Sequence, residues 1–300
     1  MTTTFAASTG TRLSVPLADG TMSGLAWGES RMPPDLLFMH ATGFNAQTYA
    51  PLLEPLAARH AVVALDQRGH GFSDLPTDPE GIVDWMPYAR DLIAVLDRFV
   101  PDGARPLVLA GHSMGAVVSL LAAAARPKAV RGLVLLDPVM MSPLLRLAAY
   151  TPWGQAKFRS FHLAVAAAKR RSTFGSKQEA VDTYRTRKAF STWQPGFLEA
   201  YVDGGFLADG EGVRLACAPI WESATFASHR HRSWAALKSL KMPVHVMAAE
   251  RGSTVTGGIG KVLKVQPRAQ AEVVAGTTHF FPMERPDHVR AQLAAMLAKT

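Results

Sequence analysis

Strand-like and helix-like segments alternate along both ends of this 300-residue chain, and that order limits the folds it can adopt. Such alternation favours a largely parallel sheet with helices on both faces. The segments 13–17 and 22–27 flank Asp19-Gly20, a pair typical of a tight hairpin, and predict an antiparallel start to the sheet. The further predicted strands are 36–39, 61–65, 107–110, 132–136, 244–248 and 271–275. The helices predicted beside them are 49–59, 86–100, 114–125, 258–265 and 284–298.

The alternation stops between residues 138 and 240, where the sequence predicts several helices and no strong strand. Strand and helix signals resume from residue 241. Because the same pattern flanks the interruption, we expect one α/β core domain, residues 1–137 and 241–300, with a helical cap inserted at 138–240. The helices predicted within the insertion are 144–150, 161–171, 178–189 and 196–203.

Composition excludes several classes of protein. With 48% hydrophobic and 19% charged residues, the chain can bury a large core, and its one cysteine, Cys217, excludes an intramolecular disulfide. The net charge of +8 includes the cluster Lys169-Arg170-Arg171, which we interpret as solvated surface because no nucleic-acid-binding module accompanies it. Neither a leader peptide nor a membrane-spanning run is evident. We therefore expect a cytoplasmic protein without nucleic-acid or membrane partners, and the sequence does not indicate its oligomeric state.

The segment Gly111-His112-Ser113-Met114-Gly115 follows a predicted strand and opens a predicted helix. A serine at such a sharp strand-to-helix turn projects its hydroxyl above the sheet, and the flanking glycines leave room for the turn. The N-terminus of the following helix directs backbone N–H groups to the same place, where a developing negative charge would be stabilised. The alternative is a Gly-Ser loop that only caps a helix. We interpret Ser113 as a nucleophile.

Two further segments carry a family resemblance. Residues 40–43 (HATG) resemble the His-Gly oxyanion segment of the α/β-hydrolase superfamily, with Ala41 in place of the usual glycine. Residues 66–73 (DQRGHGFS) resemble the family's D-x-R-G-x-G-x-S loop. With the 111–115 turn they fall in family order, and the resemblance covers both ends of the chain but not the insertion. The chain is thus similar to the serine-nucleophile, esterase- and lipase-like branch, which implies a doubly wound, mostly parallel sheet beneath an inserted cap.

A serine hydroxyl needs a base near pH 7, and His279 is the best candidate among the ten histidines. It follows the last predicted strand and precedes the last helix, in a position that resembles the family's terminal histidine segment. His40 and His112 lie close to the oxyanion segment and the nucleophile, where we expect structural roles. We expect the same of His70, within its loop, and of His245, within a predicted strand.

The acid that would orient His279 is open between two carboxylates. After the strand 244–248 the family usually shows G-x-x-D, where this chain has AERG at 249–252, so the expected aspartate is absent and Glu250 is the nearest replacement. Asp137 ends the strand that follows the nucleophile helix, 137 − 113 = 24 residues beyond Ser113, and some family members take their acid from there. Either could accept the second imidazole N–H. We favour Asp137. The alternative for Asp137 is a helix or turn residue entering the insertion, and for Glu250 it is a surface carboxylate paired with Arg251.

The resemblance also implies an oxyanion hole formed by the backbone N–H groups of Thr42 and Met114. The hydroxyl of Thr42 is a weaker candidate for a third donor. No metal cluster, nucleotide fingerprint or phosphate loop is evident in the sequence, so we expect no cofactor and no metal.

Together these features predict hydrolysis of a carboxylic ester or related acyl bond, lactones included, in a small-molecule substrate. Because one fold supports several chemistries, a cofactor-free lyase or oxygenase and a non-catalytic ligand-binding protein are the alternatives. Substrate choice should depend on the insertion, whose aromatic residues we interpret first as core and second as apolar pocket wall. These residues are Trp153, Phe161, Phe174, Trp193, Phe197, Tyr201, Phe206, Trp221 and Phe226.

Overall fold

Eight strands form one mixed sheet in the computed structural model, which describes residues 10–299. The strands of the chain are β1 (Thr11–Leu17), β2 (Gly20–Trp27), β3 (Leu36–Met39), β4 (Val62–Leu65), β5 (Leu107–His112), β6 (Val130–Leu136), β7 (Thr173–Phe174), β8 (Phe206–Asp209), β9 (Gly212–Leu215), β10 (Val244–Ala249) and β11 (Gln270–Val274). The large sheet has the order β1-β2-β4-β3-β5-β6-β10-β11; β1, β2 and β4 pair antiparallel, and the other neighbours are parallel. The predicted mostly parallel sheet with an antiparallel start is confirmed.

The α-helices in the described residues are all too short or too polar to cross a membrane. They are α1 (Ala50–Leu53), α2 (Met86–Phe99), α3 (Met114–Ala125), α4 (Pro143–Ala148), α5 (Pro152–Arg159), α6 (His162–Ala168), α7 (Lys177–Arg185), α8 (Phe197–Gly205), α9 (Pro219–Phe226), α10 (Ser233–Ser239), α11 (Gly258–Val265), α12 (Phe281–Glu284) and α13 (Pro286–Lys299). The prediction of one helix over 49–59 was wrong, since α1 is flanked by 3-10 turns at Ala46–Tyr49 and Glu54–Ala58. Pro55 has no N–H to donate to the Pro51 carbonyl, so an α-helix cannot continue through it.

Side chains of β5 alternate between two buried cores, one on each face of the large sheet. Leu107 and Leu109 join the core covered by α2 and α3, whereas Val108 and Ala110 join the core covered by α1 and α13. All four side chains are fully buried. The sheet is therefore doubly wound, and β5, which leads into Ser113, lies between the parallel strands β3 and β6.

The insertion contains a small antiparallel sheet in the order β7-β9-β8, which the expectation of several helices and no strong strand did not include. These strands have two to four residues, too few for a periodic signal. Asp209-Gly210, between β8 and β9, is the hairpin signal that could have revealed them. Phe174 and Phe206 belong to a separate core with side chains of α7 and α8. This separate core supports our proposal that residues 138–240 form a cap, although α10 packs back against α3.

Candidate active site

Ser113 forms a one-residue turn between β5 and α3. Its φ of 56° and ψ of −115° are strained for a residue that carries a side chain. The neighbouring glycines are required by space: a Cβ on Gly111 would lie 2.5 Å from the carbonyl carbon of Gly115. A Cβ on Gly115 would lie 2.2 Å from the carbonyl oxygen of Met39, at the end of β3. The strand-turn-helix context expected of the 111–115 segment is therefore present.

Asp137 ends β6 in a left-handed conformation, with φ 42°, and its carboxylate is fully buried. The carboxylate lies 2.5 Å from Nδ1 of His279, and it accepts hydrogen bonds from Ser253 Oγ (2.6 Å) and from the backbone N–H groups of Ala249 and Thr254 (3.0 Å each). Burial alone would raise the pKa of Asp137, but the His279 contact and these hydrogen bonds outweigh it and lower the pKa. The group is an ionised acceptor that fixes His279 through Nδ1–H.

Glu250 does not share this environment. It is exposed at the end of β10, and its carboxylate accepts a 3.0 Å hydrogen bond from the backbone N–H of Gly276. Of the two carboxylates left open by the sequence, Asp137 is the one that contacts His279.

A cavity of about 620 Å³ lies over the strand ends, with walls from the large sheet and from the insertion. Ser113, His279 and Thr42 all line it. The insertion aromatics divide between wall and core. Of the nine aromatic residues named from the sequence, those that line the cavity are Phe161, Trp193, Tyr201 and Phe226, and Tyr184 and Phe190 line it as well. The buried ones away from it are Phe174, Phe197, Phe206 and Trp221. Trp153 lies exposed on the surface, which neither sequence interpretation anticipated.

The backbone N–H groups of Thr42 and Met114, which we expected to form an oxyanion hole, are not engaged by other described groups. Met114 opens α3, and Thr42 lies in the cavity wall. Within residues 10–299 neither N–H donates to a protein acceptor, whereas the next one along, that of Gly43, donates to Nε2 of His70 at 3.0 Å. The Thr42 hydroxyl is engaged differently from our expectation: it donates to Sδ of Met114 at 3.3 Å. It therefore links the two residues that we expected to supply the oxyanion hole.

Two buried histidines hold the segment that carries Thr42. His40 Nδ1 donates to the Ala41 carbonyl at 2.7 Å, and its Nε2 accepts from the backbone N–H of Gln67 at 2.8 Å. Burial, reinforced by the neighbouring His70, holds the pKa of His40 well below its usual range, and burial lowers the pKa of His70 to about 4. Both rings are neutral at physiological pH, so each can accept a backbone N–H. These contacts support the structural roles expected for both residues.

Tyr49 and His112 form a buried connection that sequence analysis missed. The backbone N–H of Ala41 donates to Tyr49 Oη at 3.2 Å, Tyr49 Oη lies 2.8 Å from His112 Nδ1, and His112 Nε2 lies 2.8 Å from the carbonyl oxygen of His279. A carbonyl oxygen only accepts, so Nε2 carries the proton and Tyr49 donates to Nδ1. The chain therefore joins the segment of Thr42 to the loop of His279. The position of His112 beside Ser113 was the one available signal, and Tyr49 offered none.

A buried ion pair in the cavity wall was also missed. Arg170 donates to Glu222 at 2.6 Å, to Tyr201 Oη at 2.7 Å and to Tyr184 Oη at 3.1 Å. The interpretation of the 169–171 cluster as solvated surface was wrong for Arg170, because its guanidinium turns inward to these partners. Its positive charge is compensated within the wall.

The fold and this arrangement of groups define a member of the α/β hydrolases. The sequence model of the alpha/beta hydrolase family matches residues 36–293, and the chain belongs to that family. The predicted family is thus confirmed.

Several of the similar proteins are named as hydrolases. The chain is 26% identical over 259 residues to the 2-(acetamidomethylene)succinate hydrolase of Mesorhizobium japonicum, which covers 85% of this chain and 84% of that one. It is 33% identical over 119 residues to the monoglyceride lipase of Rattus norvegicus, 39% of each chain. Among solved structures, E-2-(acetamidomethylene)succinate hydrolase superposes with a TM-score of 0.77 at 21% identity, over 96% of this chain and 99% of that one. The thioesterase domain of the curacin biosynthetic pathway reaches 0.73 at 18% identity, over 95% and 99%. These relatives support hydrolase activity, and the structural likenesses show the shared fold.

Proposed function

We propose that the protein hydrolyses a carboxylic ester or related acyl bond, with Ser113 as nucleophile, His279 as general base and Asp137 as the orienting acid. One observation carries the proposal: the buried Asp137 carboxylate holds Nδ1 of His279 at 2.5 Å, while His279 and Ser113 line one cavity. A nucleophile, a base and a group that orients the base are the three parts that acyl transfer requires.

The mechanism follows from these positions. With Nδ1–H of His279 donated to Asp137, Nε2 is the nitrogen left to accept the proton of Ser113 Oγ as that oxygen attacks the substrate carbonyl carbon. The N–H groups of Thr42 and Met114 would stabilise the negative oxygen of the tetrahedral intermediate. The protonated imidazole then gives its proton to the leaving alcohol, which leaves an ester of Ser113. Water, activated by the same imidazole, hydrolyses that ester and restores the hydroxyl.

The cavity wall favours an apolar or aromatic acyl group. Its lining is chiefly aromatic and aliphatic, and the charge of Arg170 is compensated by Glu222. Arg187 also lines the cavity, and the described residues give it no ion pair, so an acidic substituent on the substrate would meet it there. The succinate-derived substrate in the name of the Mesorhizobium relative has such a substituent. We therefore propose an ester with an apolar acyl group as the preferred substrate. Esters with a terminal carboxylate are included in the assay because Arg187 could bind such a group.

The test compares wild-type protein with Ser113→Ala on p-nitrophenyl esters of graded chain length, with lactones and carboxylate-bearing esters alongside. We expect turnover to fall by about 10³-fold or more in Ser113→Ala. The matched control is Ser119→Ala, which removes another buried hydroxyl of α3, bonded to the Ala110 carbonyl and outside the cavity. Ordinary turnover in folded Ser113→Ala would refute the proposal, and ligand binding without turnover by the wild type would favour a non-catalytic binding protein.

A further inference from the structure

Helix α4 is apolar and yet has no buried residue among its six. Leu144 is 79% exposed, Leu147 55% and Leu145 48%. A helix in a monomer usually turns its leucines inward, and large contiguous apolar surface usually marks a binding site. The sequence of α4 is therefore fitted to an apolar environment that the rest of the described chain does not supply.

The exposed apolar surface continues beyond α4. Helix α4 packs on α5 and α5 packs on α6, and these neighbouring helices add further exposed apolar side chains: Trp153, 69% exposed, on α5, and Phe161 and Leu163 at the start of α6. We call this surface the apolar face: Leu144, Leu145, Leu147, Trp153, Phe161 and Leu163. Phe161 and Leu163 also line the cavity that holds Ser113, so the apolar face reaches the cavity wall.

The segment that carries the apolar face has charges of one sign, and Glu80 is an acidic residue of another segment that shares a surface pocket with Arg159. Residues 138–178 contain seven Lys or Arg and no Asp or Glu. Arg146, Lys157 and Arg159 lie on α4 and α5 among the exposed apolar side chains, and no ion pair within residues 10–299 neutralises them. Lys157 lies over the Trp153 ring, 5.2 Å from its centroid. The face thus combines apolar side chains with uncompensated positive charge.

This combination selects the partner. A second copy would bring the same positive charges together across a symmetric interface, which disfavours self-association. Nucleic acid would satisfy the charges but leave the leucines and Trp153 without an apolar environment. An anionic bilayer supplies both, since acyl chains receive the apolar side chains and headgroup phosphates attract Lys and Arg.

We propose that the apolar face docks the protein on the surface of an anionic phospholipid bilayer, with α4 and α5 lying in the headgroup region. This departs from the sequence-based expectation of no membrane partner, which rested on the lack of a spanning segment. A docked protein would open its cavity wall at Phe161 and Leu163 toward the bilayer, so esters that partition into lipid could reach Ser113. That last consequence rests on the proposed function, whereas docking does not.

Flotation with vesicles tests the docking. Vesicles of phosphatidylcholine alone are compared with vesicles that also contain phosphatidylglycerol, at low and high salt. We expect the wild type to bind the anionic vesicles, with binding weakened by salt, and Leu144→Ser combined with Trp153→Ser to lower the affinity about tenfold or more. The matched control combines Leu263→Ser with Val273→Ser, two exposed apolar side chains of α11 and β11, and should bind like the wild type.

Two readouts separate the possible failures. Neither Leu144 nor Trp153 is buried or lines the cavity, so turnover of a soluble short-chain ester should match the wild type and show that the double variant is folded. Ser113→Ala should bind vesicles normally, so docking would survive even if the proposed hydrolysis failed. Absent binding by the wild type, or equal binding by the double variant, would overturn the proposal. A dimer in solution that the double variant dissociates would instead assign the face to a second copy.

Discussion

His112 Nε2 donates a 2.8 Å hydrogen bond to the backbone carbonyl oxygen of His279. Burial, together with the charge that His279 can carry, lowers the pKa of His112 to about 3, so this ring stays neutral and keeps one fixed donor and one fixed acceptor. The bond ties the loop of the proposed base to the residue beside the proposed nucleophile. We infer that His112 is a positioning residue that keeps the end of β5 and the loop after β11 in place. The hydrogen bond from Tyr49 fixes the tautomer of His112.

Tyr49→Phe tests this positioning role. The change removes the hydroxyl that donates to His112 and accepts from Ala41, and leaves both buried groups unpaired at a cost of about 1–3 kcal/mol in unfolding free energy. The phenylalanine ring still fills the same site, so we expect KM to change little. We expect kcat to fall by about 10- to 100-fold, because the base and the oxyanion segment lose their alignment. Kinetics on one ester, with urea unfolding in parallel, measure both effects. A stability loss with unchanged kcat would assign Tyr49 a purely structural role.

The choice of acid is tested by two matched substitutions. Asp137→Asn keeps the shape of the side chain but cannot hold the Nδ1–H tautomer of His279, so kcat should fall by about 10³ to 10⁴. Glu250→Gln should have a mild effect, because Glu250 is exposed and bonds the backbone of Gly276. Both variants are assayed on one ester at one pH. A large loss of kcat in Glu250→Gln, together with a near-normal kcat in Asp137→Asn, would show that Glu250 and not Asp137 is the acid.

Thr42→Val separates the backbone of Thr42 from its hydroxyl. The hydroxyl donates to Met114 Sδ, so its loss should reduce kcat/KM by no more than about tenfold, far less than the loss of an oxyanion donor. Steady-state kinetics of the variant measure this. A fall of about 10² to 10³ in kcat would show that the hydroxyl itself contacts the oxyanion.

The segments that sequence analysis predicted best are those whose function is encoded locally. The strand-to-helix turn around Ser113 and the ends of β3 and β6 are indicated by short sequence patterns. The fold class follows from the order of strands and helices along the chain. The contact between Asp137 and His279 joins residues 142 apart in sequence, and only three-dimensional geometry distinguishes Asp137 from Glu250. The role of Tyr49 was not predictable either, because its contacts also join distant segments and its sequence context is that of an ordinary aromatic residue of the core.

The insertion was predicted least well, for physical reasons that its residues make clear. Strands β7 to β9 are too short to show alternation, and their stability comes from a shared core rather than from local propensity. In the sequence Arg170 resembles a surface charge, because its ion-pair partner Glu222 lies 52 residues later and only the fold places the two in contact. The exposed leucines of α4 violate the pattern of a folded helix, and such violations are where functional surfaces are expected.

Stability should depend strongly on acid pH because burial lowers the pKa of several histidines, five of them most strongly. Burial is the main cause in each: it lowers the pKa of His70 and His229 to about 4 and that of His112 and His231 to about 3, and holds His40 well below its usual range. Unfolded chains bind these protons below about pH 6.5, whereas the folded protein does not, so stability falls as pH decreases from about 6.5 toward 4.

His231→Phe tests this dependence at one site. His231 stacks on Trp85 with ring centroids 4.5 Å apart, and neither ring nitrogen has a partner within residues 10–299. Phenylalanine keeps the stacking and cannot take up a proton on unfolding, so its advantage over the wild type should grow by about 2 kcal/mol between pH 7 and pH 5. Urea unfolding at both pH values measures this. The control is His162→Phe, at an exposed position on α6. If His162→Phe gained as much unfolding free energy between pH 7 and pH 5 as His231→Phe, burial of His231 would not be the cause.

The central claim, that Ser113 is an activated nucleophile, is tested most directly by incubating the protein with a fluorophosphonate and measuring its intact mass and the labelled peptide. Such a probe phosphonylates a serine whose hydroxyl is activated by a base, without needing the natural substrate. We predict one adduct per chain, located at Ser113, absent in Ser113→Ala and formed much more slowly in Asp137→Asn. A folded wild-type protein that stays unlabelled, or a Ser113→Ala variant that is labelled as fast as the wild type, would contradict the account.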